Sequence, residues 1–451
     1  MRPILLPLLL ALGACMPAPQ ADQPSRAALV EPGLPPVKTF AAPHPAPPSR
    51  ANGDIARDFL DLAFKLESGR DLPVLTRFEG PITLRVLGHA PRTLASDLNR
   101  LLYRLRTEAG LDIALTDRDD AAITIQAVTR ADIRRQLPQA ACFVAPNVSN
   151  LAQYRLARRT SVVNWTLLRE RKRLAIFLPN DTSPQEMRDC LHEELAQALG
   201  PLNDLYRLPD SVFNDDNVHT VLTGFDMLIL RAYYAPELRN GMTRAEVAAR
   251  LPRLLARLNP AGEHREMRAL GPTPRVWIDA IQTALGPGAG PAERRRAAER
   301  ALQIASSMGW TDHRRAFSHY AMGRLTQAVD PGSALRDFQA ADRFYASAPD
   351  TELHRAYVAA QLAAHAIGRG DGAAARQIVD RNIGAAARYE NAALLATLMM
   401  LRAEALALTG EPDLSDSVRL DSLGWARYGF GADWAVRAKM REIESLNPLK
   451  G

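Results

Sequence analysis

Apolar positions along this chain pass through successive regimes. Behind Met1-Arg2, residues 3–12 form an unbroken apolar run, PILLPLLLAL. From Met16 to Arg50 no periodicity survives: ten of those 35 residues are proline. Such a segment stays extended, at ~3.1 Å per residue, and is expected to act as a spacer. From Asp54 to about Asn240, strand-like runs appear. Ile82-Thr83-Leu84-Arg85-Val86 alternates, Ile123–Val128 (ITIQAV) is a second strand, and Leu174–Leu178 (LAIFL) is wholly apolar, as expected of a central strand. Leu94, Leu98, Leu101, Leu102 and Leu105 mark an amphipathic helix stopped by Gly110.

From Thr243 onward the period is helical almost without interruption. Breaks fall at Pro331-Gly332, Gly370-Asp371-Gly372 and Gly410-Glu411-Pro412, with helix starts at Thr311-Asp312, Thr351 and Asn391, each series spaced by about 40 residues. That spacing predicts stacked helical hairpins of the solenoid type, with an irregular helical bundle as the alternative. The chain thus divides into 1–14 and 15–53 ahead of the fold, an α+β domain with a mixed sheet over 54–242, a helical connecting region over 243–310, and an all-α array of helical hairpins over 311–451.

The α+β region contains one unusual helix. Ser183-Pro184-Gln185-Glu186 reads as a capping box with proline at the first helical position, and Gly200-Pro201 as a stop. A long central helix is therefore predicted from Pro184 to Leu199. Winding it gathers Met187, Leu191, Leu195 and Ala198 into one ~80° arc, the core face. Glu194 falls only about 20° outside that arc, and Glu193 and Gln197 share its adjoining edge. An unpaired carboxylate on a buried face is costly, so Glu194 must be paired, protonated or facing a cleft.

The first fifteen residues have the layout of a secretory signal: a basic head, an apolar core too short to span a bilayer, and small residues before Cys15. Leu12-Gly13-Ala14-Cys15 resembles the lipobox of bacterial lipoproteins, which implies cleavage before Cys15 and acylation (palmitate among the chains) of that cysteine. An ordinary signal peptide with a chance cysteine is the alternative. The lipoprotein reading predicts a lipid anchor on the periplasmic face of the envelope. Met16, rather than an aspartate, favours the outer over the inner membrane. In an oxidising compartment the two remaining cysteines, Cys142 and Cys190, are expected to pair as a disulfide rather than persist as buried thiols.

The net charge of +6 comes from arginines spread along helices, with no basic block interleaved with aromatics, so nucleic acid is not an expected partner. No stretch after the signal is long and apolar enough to cross a membrane, so the rest is expected to be soluble.

Leu191–Asp204, LHEELAQALGPLND, begins like the zinc motif H-E-x-x-H, but its second histidine would fall at Ala196. Shifted by one residue, Ala198-Leu199-Gly200 resembles the ALG of metzincin proteases. That resemblance implies that Glu193, Gln197 and Asn203 stand where the family has its three zinc histidines, with Glu194 as general base. Asp210-Ser211-Val212-Phe213 resembles the Met-turn segment, with Phe213 in place of methionine. Leu222–Asp226, leading to Ala232-Tyr233-Tyr234, is similar to the closing helix of small metzincins. The wording is closer to an uncharacterised bacterial family, domain of unknown function 2927. The resemblance lies at CLHEELAQALGPLND, SVFND, LTGFDMLILRAYY and Gly241-Met242-Thr243, over roughly 54–243, with Ser422–Gly431 (SLGWARYGFG) as a second candidate feature. Ser333–Phe338, through Ala341 to Pro349-Asp350, resembles the second helix of a tetratricopeptide-type repeat.

Amide oxygens bind zinc weakly, and zinc prefers imidazole and thiolate, so no zinc or other cofactor is expected. A weakly held hard cation is conceivable if Asp204, Asp210, Asp215, Asp216 or Asp226 adds oxygens, though such acids more often line a solvated loop. Three readings follow. One is a non-catalytic metzincin-like domain on a helical scaffold that binds envelope proteins or peptides. Another is a metal-dependent, peptidase-like hydrolase using Glu194, with His192 or His219 recruited as ligands. The last is a plain structural lipoprotein, with Glu194 paired to an arginine. The first is preferred.

Overall fold

The computed structural model describes residues 33–41, 46–268 and 270–450. Residues 1–14, expected from the sequence to be a signal segment, Cys15 and most of the proline-rich segment lie outside the described residues. Residues 35–451 form one compact unit.

The first part is α+β. Its elements are α1 (Asn52–Ala63), β1 (Ile82–Leu87), α2 (Arg92–Thr107), β2 (Ile113–Leu115), β3 (Ile123–Val128), α3 (Arg130–Gln136), β4 (Phe143–Pro146), α4 (Leu151–Ala157), β5 (Leu174–Pro179), α5 (Pro184–Leu199), α6 (Gly224–Tyr233) and α7 (Arg244–Leu258). The sheet runs β2-β1-β3-β5-β4. Four strands are parallel, and the short edge strand β4 is antiparallel to β5. The apolar run of β5 is buried throughout because helices cover both faces. Leu174, Ile176 and Leu178 join the main core with α1, α2, α5, α6 and α7. Ala175 and Phe177 point the other way, into a smaller core with Ile133, Val148 and Leu151.

Helix α5 packs on the sheet through Met187, Leu191, Leu195 and Ala198, all buried. Its start differs in detail from the expected capping box. Ser183 Oγ accepts from the Glu186 amide, but the Glu186 carboxylate turns to Thr182 and Arg130. Its end differs too. Gly200 is not in the left-handed region (φ −165°). Glycine fits closely there, because a Cβ would meet the Tyr233 ring at 3.0 Å and push it aside. Arg171 caps the helix, donating to the carbonyls of Gln197, Ala198 and Gly200. Cys142, just before β4, forms a disulfide with Cys190 on α5, which ties the sheet edge to the helix.

The second part is all-α: α8 (Arg275–Leu285), α9 (Pro291–Ser307), α10 (His313–Thr326), α11 (Pro331–Ser347), α12 (Glu352–Gly368), α13 (Gly372–Arg388), α14 (Ala392–Leu408), α15 (Pro412–Phe430) and α16 (Asp433–Glu444). The closest packing is between the pairs α10–α11, α12–α13, α13–α14 and α14–α15. Among the described residues no helix is long and apolar enough to cross a membrane.

Two features differ from the sequence reading. Helix α7 sits in the main core through Val247, Leu251, Leu254 and Leu255 and so packs as part of the α+β unit. The described part of the proline-rich segment is extended but docked. Lys38 N donates to Gly424 O at 3.0 Å, Arg427 donates to Pro35 O at 2.9 Å, and Phe40 packs on Trp425. The same stretch of α15 reaches the α+β unit. Tyr428 Oη donates to Asp97 on α2 at 2.8 Å, and Gly431 (φ 82°) abuts Ser183. The SLGWARYGFG segment is thus a clamp that holds the proline segment on one side and the sheet domain on the other.

Candidate functional site

One cleft of about 580 Å³ opens beside α5. Its walls come from the turn after α1 (Leu66, Glu67), the segment entering β4 (Leu137 to Val144), Trp165, α5 (Glu193, Glu194, Gln197) and the loop after it (Leu202, Asp204, Asp215). Among the described residues, five carboxylates line it, and no lysine, arginine or histidine does.

Glu194 is 4% exposed, and its Oε2 is buried without a hydrogen-bond partner. It has no arginine partner, unlike the paired arrangement that a plain structural role would predict. Burial, then the charges of Glu193 and Glu67, push its pKa well above the usual carboxyl range. Glu193 is raised to about 8 by burial, then by Glu67, Asp215 and Asp189. Asp204 is raised strongly by burial and by the other four cleft acids. Glu67 and Asp215 are raised too, again mainly by burial, against the hydrogen bonds they accept from Gln197, and from Gln282 and Tyr206, respectively.

Of the three positions aligned with metzincin ligands, the fold brings two together. Glu193 and Gln197 line the cleft, where Gln197 Nε2 donates to Glu67 Oε1 at 3.2 Å. Asn203 turns away and donates to the Asp61 carbonyl on α1 at 2.9 Å. Its neighbour Asp204 occupies the cleft instead. Phe213 is fully buried in the main core. The two recruitable histidines are elsewhere. His192 Nδ1 accepts from the Leu222 amide, and burial holds the ring neutral. His219 packs edge-on to Tyr389 and beside His354.

The remaining acids near α5 have separate tasks. Asp210 pairs with Arg50, Asp216 with His354, and Asp226 accepts from Ser211, Val212 and Thr223 at the start of α6. Among the described residues, no three His, Cys, Asp or Glu side chains are disposed to hold a metal ion. Glu67 and Trp165 carried no local signal in the sequence. Glu67 follows an ordinary helix and reaches the site only because α1 lies along the segment after α5, where Leu202 N donates to Leu62 O.

Residues 52–253 match the family described as "Protein of unknown function (DUF2927)", a span running from the start of α1 into α7. The match supports an uncharacterised family for the α+β unit, as the wording around α5 implied. No curated protein and no solved structure matches the chain.

Proposed function

We propose that the chain is an envelope lipoprotein whose α+β unit is a metzincin-like scaffold that binds rather than cleaves, joined to a tetratricopeptide-like array that presents binding surfaces to envelope proteins or peptides. The observation carrying this reading is the fate of the three ligand positions. Two have become a carboxylate and an amide in an acid-lined cleft, and the third, Asn203, is spent on a backbone carbonyl of α1. A scaffold can outlive its chemistry, because the capped helix, close-packed glycine and closing helix serve packing in any case. The lipid anchor rests on Leu12-Gly13-Ala14-Cys15. Metal analysis of the full chain purified without chelator tests the binding reading. It expects substoichiometric zinc, whereas one tight zinc per chain, lost on Gln197→Ala, overturns it. Mass spectrometry of the mature N-terminus tests the anchor, with an acylated Cys15 expected.

The competing hydrolase reading keeps one observation in its favour: Glu194 lines a cleft with an unpartnered Oε2 and a pKa raised by burial, a perturbation that acid–base residues often show. Peptide hydrolysis that Glu194→Gln abolishes would establish it.

A further inference from the structure

Five carboxylates around one cleft raise the question of what neutralises them. Two arginines near the cleft have other hydrogen-bond partners, although the charge of Arg275 bears on Asp215. Arg171 is committed to the carbonyls ending α5 and to the face of Trp165. Arg275 pairs with Asp279 and donates to the Glu67 backbone carbonyl. Neither forms an ion pair with a cleft carboxylate. Glu194 adds the more specific sign, a buried side chain in the cleft wall with one oxygen that no donor reaches among the described residues. An acceptor left without a donor in such a place costs free energy that a donor-bearing ligand recovers.

The arrangement also limits the ligand. The acids come from three separate segments, with Glu67 after α1, Glu193 and Glu194 on α5, and Asp204 and Asp215 beyond it. They do not converge on a point that suits one metal ion. The same walls carry Leu66, Leu137, Phe143, Trp165 and Leu202. Acceptors on separate segments that share a cleft with apolar wall fit cationic donors joined by methylenes, in a cleft of the size that small ligands occupy.

We propose that this cleft binds an organic polycation, a ligand carrying two or more alkylammonium groups on an apolar chain. This rests on the reading of the domain as a binding rather than a cleaving unit. The ammonium groups donate to Glu194, Glu193 and Asp204, while the methylenes lie on Trp165 and Phe143. Carboxyls that hold protons in the empty cleft release them as the ligand enters, so binding strengthens with pH. The groups that set this dependence are the five cleft acids, with Asp189 behind Glu193 and Arg275 beside Glu67 and Asp215.

Titration calorimetry on the full chain tests the proposal with spermidine, trilysine and calcium chloride as probes, at pH 6 and pH 8. One spermidine or trilysine per chain is expected, with tighter binding at pH 8 and proton uptake by the buffer. Glu193→Gln/Glu194→Gln should weaken binding at least tenfold without lowering the melting temperature. Glu67→Gln, on a different segment, should also weaken it and guards against a folding artefact in the double variant. The stronger of spermidine and trilysine separates a free polyamine from a basic peptide as the source of the ammonium groups. Absence of saturable binding by both, affinity unchanged in the variants, or a single calcium that displaces spermidine would each overturn the proposal. Glu194-dependent cleavage or one tight zinc would instead sink the underlying reading, so the two failures are distinguishable.

Discussion

Gln185 on α5 and Asn391 at the start of α14 hold the two halves of the molecule together side chain to side chain. Gln185 Nε2 donates to Asn391 Oδ1 at 3.1 Å, and its Oε1 accepts from the Ala393 amide at 2.8 Å. Asn391 in turn donates to Tyr357 Oη at 2.7 Å and accepts from the Leu394 amide. Gln185 and Asn391 are themselves buried, so Gln185→Ala strands polar groups rather than merely losing bonds. We expect a loss of about 1–3 kcal/mol in urea unfolding. An unchanged midpoint would show that the joint between α5 and α14 does not depend on this amide.

Asp226 is fully buried and accepts from the Ser211 hydroxyl and from the amides of Val212 and Thr223. It therefore organises both the loop carrying Phe213 and the first turn of α6. Asp226→Ala should cost at least ~3 kcal/mol, given the strength of hydrogen bonds to a charged acceptor. Asp226→Asn should recover only part, since an amide nitrogen facing a donor cannot accept. Equal stability of the two variants would contradict this account.

The cleft carboxyls give stability a definite pH slope. Glu193 titrates near 8 in the fold against 4.5 ordinarily, because burial and then neighbouring acids disfavour its charge. The folded state thus holds a proton that the unfolded chain gives up, and stability falls as pH rises from 4.5 through 8. Glu194 and Asp204 act in the same sense. Melting temperature should therefore drop between about pH 6.5 and 8, and Glu193→Gln/Glu194→Gln should flatten the drop. A slope identical to the parent chain would refute this.

The acid side is governed by histidines. Burial lowers His219 to about 3 and, against the charge of Asp312, His313 to about 4, with His354 adding to both. A base with a depressed folded pKa contributes stability that is present above 6.5 and lost as pH falls below it. His219→Gln should soften acid unfolding between about pH 6 and 4, followed by circular dichroism. Unaltered acid unfolding would argue against a buried neutral His219.

The disulfide closes a loop of 48 residues from the cleft wall to α5. Cys142→Ser/Cys190→Ser should lower stability by ~4 kcal/mol on chain-entropy grounds. Because Cys142 lines the cleft, the change should also weaken spermidine binding. Two alkylatable thiols in the untreated protein would rule the bridge out.

How far the sequence could be read depended on the range of the forces involved. The strands at Ile82, Ile123 and Leu174, the helix face of Met187, Leu191 and Leu195, and the helix starts at Asp312, Thr351 and Asn391 were legible because periodicity and capping are local. Short β2 and β4 were not, because a three- or four-residue strand has no period to detect. The site was half legible. Glu193, Glu194 and Gln197 share one helix and could be placed by winding it. Whether Asn203 or Asp204 faces the cleft is decided by α1, through Asp61 and Leu62, and Glu67 is brought there by the same packing. Such tertiary choices leave no trace in a local window. The clamp around Trp425 was visible only as an unusual run of glycines and aromatics.

That clamp has a mechanical consequence. Pro35, Lys38 and Phe40 lie on α15, whereas Ser49 bonds Asp350 and Arg50 meets Asp58 on α1. A pull arriving through the N-terminal segment is therefore borne first by the last hairpin of the array, not by the sheet. The strap must peel from Gly424 and Trp425 before any load reaches α1. Since α15 also bonds Asp97 on α2 and abuts Ser183 ahead of α5, a single helix couples the N-terminal strap to both the sheet domain and the entry to α5.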